Sequence, residues 1–212
     1  MSKEVYVALI DSGCSFETYE KIAIDVEDNK IKIEKQKDIN FEHGNVIGNI
    51  IKDENINIYD IQVFDKNLST TPNHIFGALN YLKDKKVDVI SMSLGLKTNY
   101  KEIEELINEF IKKGVVIVSS FPRRGEDLVY PASYSGVIKV TSEGMCKDDK
   151  VVVLDKEKLF FGANPFSNVK NVAGSSVAVA KFTKEFCFYL KKGLKKEEIL
   201  EKFSKRIVNE PK

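Results

Sequence analysis

The sequence predicts an α/β fold: a three-layer, doubly wound, mostly parallel sheet with helices on both faces. Three observations predict it. Residues 5–10 (VYVALI), 87–92 (VDVISM) and 115–119 (VVIVS) are short, almost continuous apolar runs, as expected of parallel strands buried on both faces. The stretches between several of these runs carry apolar residues at helical spacing. Strand and helix therefore alternate along most of the chain, which is the signature of right-handed crossovers in one sheet.

The elements follow in order. The first strand, 5–10, ends at Asp11-Ser12-Gly13, a turn signal. Residues 21–36 alternate in polarity and are broken at Asp28-Asn29, which reads as a hairpin. Residues 43–52 (HGNVIGNIIK) read as a short helix and 56–64 (INIYDIQVF) as the next strand. In 71–83, Ile75, Ala78, Leu79 and Leu82 mark one apolar helix face, and Thr70, Thr71 and Pro72 supply its start. Residues 100–113 repeat the pattern with Ile103, Leu106, Ile107, Phe110 and Ile111, and Gly114 ends that helix. Residues 137–141 make a further short strand, and 175–192 and 195–207 close the chain as helices. Phe182, Phe186 and Leu190, spaced at i, i+4 and i+8, read as core. There is no internal repeat or linker, so residues 1–212 read as one domain.

Composition narrows the function classes. Lys+Arg number 33 and Asp+Glu 32, for a net charge of +1, against the basic excess of a nucleic-acid binder. The chain is 42% hydrophobic and 31% charged, enough to bury a core. No apolar run approaches the roughly 18–20 residues of a membrane helix, and the N-terminus shows no signal-peptide order. Neither a membrane nor a nucleic acid is expected as a partner. Cys14, Cys146 and Cys187 are odd in number and lack CxxC spacing, which fits a reducing cytoplasm better than a disulfide framework. No metal or cofactor motif is present, and Asp148-Asp149 reads as an exposed turn and not as a calcium loop.

In a doubly wound sheet, sites gather at the carboxyl ends of strands. Three polar segments stand at such ends or open the next helix: Asp11-Ser12-Gly13, Glu42-His43-Gly44 and Gly174-Ser175-Ser176. They supply a carboxylate, an imidazole and a hydroxyl. A serine hydroxyl is a weak nucleophile until a base takes its proton, and imidazole titrates in the right range to do so. A carboxylate on the other ring nitrogen fixes the tautomer and stabilises the imidazolium. Ser176 is the candidate nucleophile, His43 the base and Asp11 the orienting acid. Singly, each has a plainer reading: Asp11 a turn former, Ser175 and Ser176 helix caps, His74 a surface residue. The order decides one alternative. An α/β-hydrolase places its histidine after the serine, and no histidine follows Ser176.

The order Asp, His, Ser, together with five segments, resembles the subtilisin-like serine peptidases (subtilases) over roughly residues 4–205. VALIDSG at 7–13 is similar to the family's Asp segment, and HGNVIG at 43–48 to its His segment, which usually begins His-Gly-Thr. VDVISMSLG at 87–95 resembles the strand that lines the cleft. GVVIVS at 114–119, with YPAS at 130–133 and VIKV at 137–140, resembles another family stretch. GSSVA at 174–178 stands where the family has Gly-Thr-Ser-Met-Ala. The resemblance implies a subtilisin-like fold and a serine endopeptidase acting on a peptide or protein substrate. The peptide would pair along Ser93, Leu94 and Gly95, and the Ser176 N–H at a helix N-terminus would face the oxyanion.

The match departs from the family in places. Counting without gaps, Arg123 stands near the family's oxyanion asparagine; loss of that donor in a subtilisin costs about 10²–10³ in turnover. The resemblance leads one to expect a form without the family's pro-domain or C-terminal extension, and the segment between Arg123 and Ser176 is short for the family. Cys14, three residues after Asp11, reads as a neighbour of the site or as a small buried hydrophobe. The expectation is a compact cytoplasmic processing protease, for example one trimming a leader peptide. A pseudoprotease that binds peptides, motivated by Arg123, is the alternative; a site completed by a partner subunit is a third reading. Richness in Lys, Ile and Asn matches AT-rich bacterial genomes, by composition alone.

Overall fold

The computed structural model describes residues 3–28, 30–39, 42–123, 128–146 and 150–207. Its strands are β1 (Val5–Asp11), β2 (Glu20–Glu27), β3 (Lys30–Glu34), β4 (Ile56–Gln62), β5 (Val89–Met92), β6 (Val116–Ser120), β7 (Ile138–Ser142), β8 (Val152–Asp155) and β9 (Phe160–Ala163). Its helices are α1 (Glu42–Ile51), α2 (Pro72–Leu82), α3 (Lys101–Lys112), α4 (Ser175–Lys191) and α5 (Lys196–Ser204). The strands form one sheet in the order β3-β2-β4-β1-β5-β6-β7-β9-β8. Every neighbouring pair from β2 to β9 is parallel, and the two edge pairs, β2–β3 and β8–β9, are antiparallel hairpins.

Alternation along the central strands explains the layers. In β1, Val5, Val7 and Leu9 face the layer of α1, α4 and α5, while Ala8 and Ile10 face α2 and α3. Both faces are thus covered, and an apolar run is what such a strand requires. Ile47 and Ile51 of α1 and Phe182 and Phe186 of α4 are fully buried in the first layer; Ile75, Leu79, Ile107 and Phe110 hold the second.

The expected fold class is the one found. The β8–β9 hairpin is the main element the sequence reading lacked. Its runs VVLD and FFGA flank a tight turn, but they were too short to separate from loop by periodicity alone. His74 is a second difference. It is half-buried in a cavity of about 280 Å³, burial lowers its pKa, and its Nδ1 lies 2.7 Å from Thr71 Oγ1. Asp148-Asp149 lies outside the described residues. Among the described residues no helix is long and apolar enough to cross a membrane, and no cluster of His, Cys, Asp and Glu could hold a metal ion.

Candidate active site

The sheet order changes direction around β1, which lies between β4 and β5, so a crevice is expected at the carboxyl end of β1. Asp11 is the last residue of that strand and is wholly buried. Its carbonyl accepts the Val63 N–H at 2.9 Å, and its Oδ1 accepts the Ser12 N–H at 2.7 Å. The chain then turns through Ser12 and Gly13 toward α1.

His43 stands in the first turn of α1. Its Nδ1 lies 2.8 Å from Asp11 Oδ1, across 32 residues of sequence. Two further contacts lock the helix to the turn. The Gly44 N–H donates to Ser12 Oγ at 2.9 Å. A Cβ on Gly44 would lie 2.7 Å from the Gly13 carbonyl oxygen and 2.8 Å from its nitrogen, so only glycine permits this approach. Burial pushes the His43 pKa down, but the hydrogen bond and charge of Asp11 outweigh it, and the net shift is upward from 6.5. With Nδ1 bonded to the carboxylate, a neutral ring presents Nε2 as a proton acceptor.

Ser176 is the second residue of α4, a helix that packs against α1. Gly174 precedes the helix at φ 110, ψ −157, a conformation open to glycine alone, so Gly174 and neither serine is the cap. Ser175 Oγ donates to the Phe121 carbonyl at 3.1 Å and ties the helix start to the end of β6. The first-turn N–H groups of α4, including that of Ser176, have no intrahelical acceptor. Among the described residues the Ser176 hydroxyl forms no hydrogen bond to His43.

Arg123 follows β6 on the segment so tied. Its Nη2 lies 3.3 and 3.4 Å from the carboxylate oxygens of Glu143, which is buried just beyond β7. The guanidinium is half-exposed and spends its charge on Glu143. Ser93 and Leu94 extend β5 and are buried, and the Leu94 carbonyl already accepts from Ser120 Oγ at 3.2 Å. Gly95 is exposed, with Val129 Cγ1 2.6 Å from where its Cβ would be. Of the three residues of the predicted peptide edge, only Gly95 is exposed. Cys14 is buried, its Sγ 3.3 Å from the Gly44 carbonyl oxygen, and burial pushes its thiol pKa well up. It packs as a small hydrophobe, and all three cysteines are free and buried.

Three supporting residues are not apparent from the sequence, Gln36, Asp60 and Gln62, and neither is the role of Ser12 in holding the Gly44 N–H. Asp60 and Gln62 carry a usable signal, since both are polar in the buried half of strand β4. Asp60 Oδ2 accepts the Cys14 N–H at 2.8 Å and Gln36 Nε2 at 2.5 Å. Gln62 Nε2 donates to the Ser12 carbonyl at 3.1 Å.

The chain is similar to known proteins. The sequence model of the Subtilase family matches residues 2–154, a span that holds Asp11 and His43 and ends before Ser176. The major intracellular serine protease of Bacillus subtilis is 36% identical over 80 residues, covering 35% of this chain and 25% of that protein. An intracellular serine protease of Paenibacillus polymyxa is 27% identical over 158 residues, covering 64% of this chain and 48% of its own length. Subtilisin DY of Bacillus licheniformis is 28% identical over 91 residues, 41% of this chain and 33% of that one. The chain thus spans no more than half the length of these relatives in the matched regions. With the family model covering well over half of the chain, and with a parallel sheet whose central strand ends in Asp11 against His43, the chain belongs to the Subtilase family.

Proposed function

We propose that the chain is a serine endopeptidase that hydrolyses peptide bonds with Ser176 as nucleophile, His43 as base and Asp11 as the orienting acid. The observation that carries this reading is the 2.8 Å contact between His43 Nδ1 and the buried Asp11 carboxylate, with His43 on a helix packed against α4, whose second residue is Ser176. In the acylation step the Ser176 hydroxyl oxygen attacks the scissile carbonyl carbon, and its proton passes to His43 Nε2. The imidazolium so formed is stabilised by Asp11, which stays ionised. The oxyanion faces the free N–H of Ser176 and the positive end of α4. His43 then returns the proton to the leaving amine, and a water molecule repeats the sequence to release the acid.

The names of the two intracellular relatives and the free, buried cysteines support a cytoplasmic location. The narrower form of this proposal is a dedicated role, such as trimming the leader of a precursor peptide. Hydrolysis of a peptide library by the wild type, lost in Ser176→Ala, is the expected result. Hydrolysis that survives Ser176→Ala overturns the assignment.

A second reading has its own support. By ungapped counting Arg123 stands near the family's oxyanion asparagine, and its guanidinium is turned to Glu143, so a side-chain donor to the oxyanion from this residue is already engaged. Under this reading the chain binds peptides without cleaving them, and Ser176→Ala leaves binding intact. Turnover that Ser176→Ala abolishes would reject it.

A further inference from the structure

We propose that Asp60 is a positioning residue for the Asp11–His43 pair: from beneath the 11–14 turn its carboxylate fixes the Cys14 amide, and so sets how Asp11 meets His43. The inference rests on the functional reading above.

Strand register puts the residue in place. Leu9 pairs with Asp60 and Asp11 with Gln62 across β1 and β4, and alternate residues of a strand share a face. Asp60 and Gln62 therefore lie on the same side of the sheet as Asp11, the side covered by α1. Each peptide of the turn is then held from β4, from Val63 just after it, or from β2. Val63 N–H takes the Asp11 carbonyl at 2.9 Å, Gln62 takes the Ser12 carbonyl at 3.1 Å, and Asp60 takes the Cys14 N–H at 2.8 Å. Lys21 Nζ donates to the Cys14 carbonyl at 2.8 Å.

The turn transmits what Asp60 fixes. Gly44 approaches Gly13 too closely to leave slack, and Ser12 Oγ holds the Gly44 N–H. A shift of the Gly13–Cys14 peptide therefore moves the start of α1, where His43 stands. Packing alone does not account for an acid at this position. An apolar side chain would fill it without desolvation, whereas Asp60 is fully buried with Oδ1 lacking a hydrogen-bond partner. The groups facing Asp60 are Asp11 from β1, Lys21 from β2, Gln36 after β3 and Cys14 from the turn. Burial above all pushes its carboxyl up to about 6.

The test compares wild type, Asp60→Asn and Asp60→Ala, with folding checked by circular dichroism. Proton NMR follows the low-field His43 Nδ1–H and the titration of the ring, a readout independent of peptidase activity. Labelling of Ser176 by a fluorophosphonate is followed in parallel. Asp60→Asn keeps an acceptor and should retain the resonance and labelling. Asp60→Ala should lose or broaden the resonance, lower the His43 pKa and slow labelling roughly ten- to a hundredfold, the scale of a small misplacement of reacting groups. A folded Asp60→Ala with an unchanged His43 titration overturns the proposal. So does an Asp60→Asn that behaves like Asp60→Ala. If Asp60→Ala does not fold, Gln36→Ala removes one of the two donors from a half-exposed position and should move the titration the same way by less; no movement overturns the proposal. A wild type with the His43–Asp11 resonance and no labelling would instead overturn the peptidase reading and leave Asp60 in its role.

Discussion

Replacing Asp60 by Asn should change how stability depends on pH, in one direction. Burial holds this carboxyl at about 6, against an ordinary 3.8; the Cys14 N–H, Gln36 and Lys21 offset only part of the shift. A carboxyl raised by folding binds its proton more tightly in the folded chain than in the unfolded one. Its contribution is complete below the unfolded value, declines as pH rises, and is gone above the folded value. A shift of about two units is worth roughly 3 kcal/mol in all, with roughly 2–3 kcal/mol falling between about pH 4 and about pH 7.5. Asn accepts the same two hydrogen bonds but does not ionise. The unfolding free energy of Asp60→Asn, less that of wild type, should therefore rise by roughly 2–3 kcal/mol over that interval, or roughly 4–12 °C in Tm for a domain of this size. Any penalty for placing an amide where Oδ1 now lies does not vary with pH and cancels. Urea titrations at each pH read the difference, provided the m-value is unchanged. A difference that is flat with pH would refute the reasoning, because Asp60 would then carry an ordinary carboxyl.

Other perturbations follow from the same contacts. Asp11→Asn leaves burial as the main influence on His43, so NMR titration should show the imidazole falling from above 6.5 to below it, with turnover down about 10⁴-fold as for other triads. In the wild type the acid limb of kcat/KM should lie above 6.5, and the stability His43 contributes should fade as pH rises through that raised value. Gly44→Ala drives a Cβ into the Gly13 backbone; chemical unfolding should show a loss of roughly 1–3 kcal/mol, and activity should fall with it. In the folded chain Cys14, Cys146 and Cys187 should resist a thiol reagent that modifies all three after denaturation, because burial raises every one of these thiols, Cys146 to about 11.

Much of the fold was legible because the central strands are buried on both faces and therefore read as apolar runs, and because α2 and α3 each bury one stripe. The candidate triad was legible through order and spacing, since Asp11, His43 and Ser176 each stand at a strand end or helix start. The supporting residues were less so. Asp60 and Gln62 act across strands, and only the β1–β4 register reveals that they lie under the Asp11 turn. Arg123 shows the same limit: counting placed it near the oxyanion, but its partner Glu143 comes from the next strand over, a neighbour that linear spacing does not give. The β8–β9 hairpin was hidden because four-residue runs carry too little periodicity.

The central claim is that Ser176 is an activated nucleophile, and covalent labelling with a fluorophosphonate, read by intact mass, tests it most directly. The account predicts one adduct per chain on the wild type, on Ser176, faster above the His43 pKa and absent from Ser176→Ala. A folded wild type that takes up no label, or a Ser176→Ala variant that still does, would contradict it.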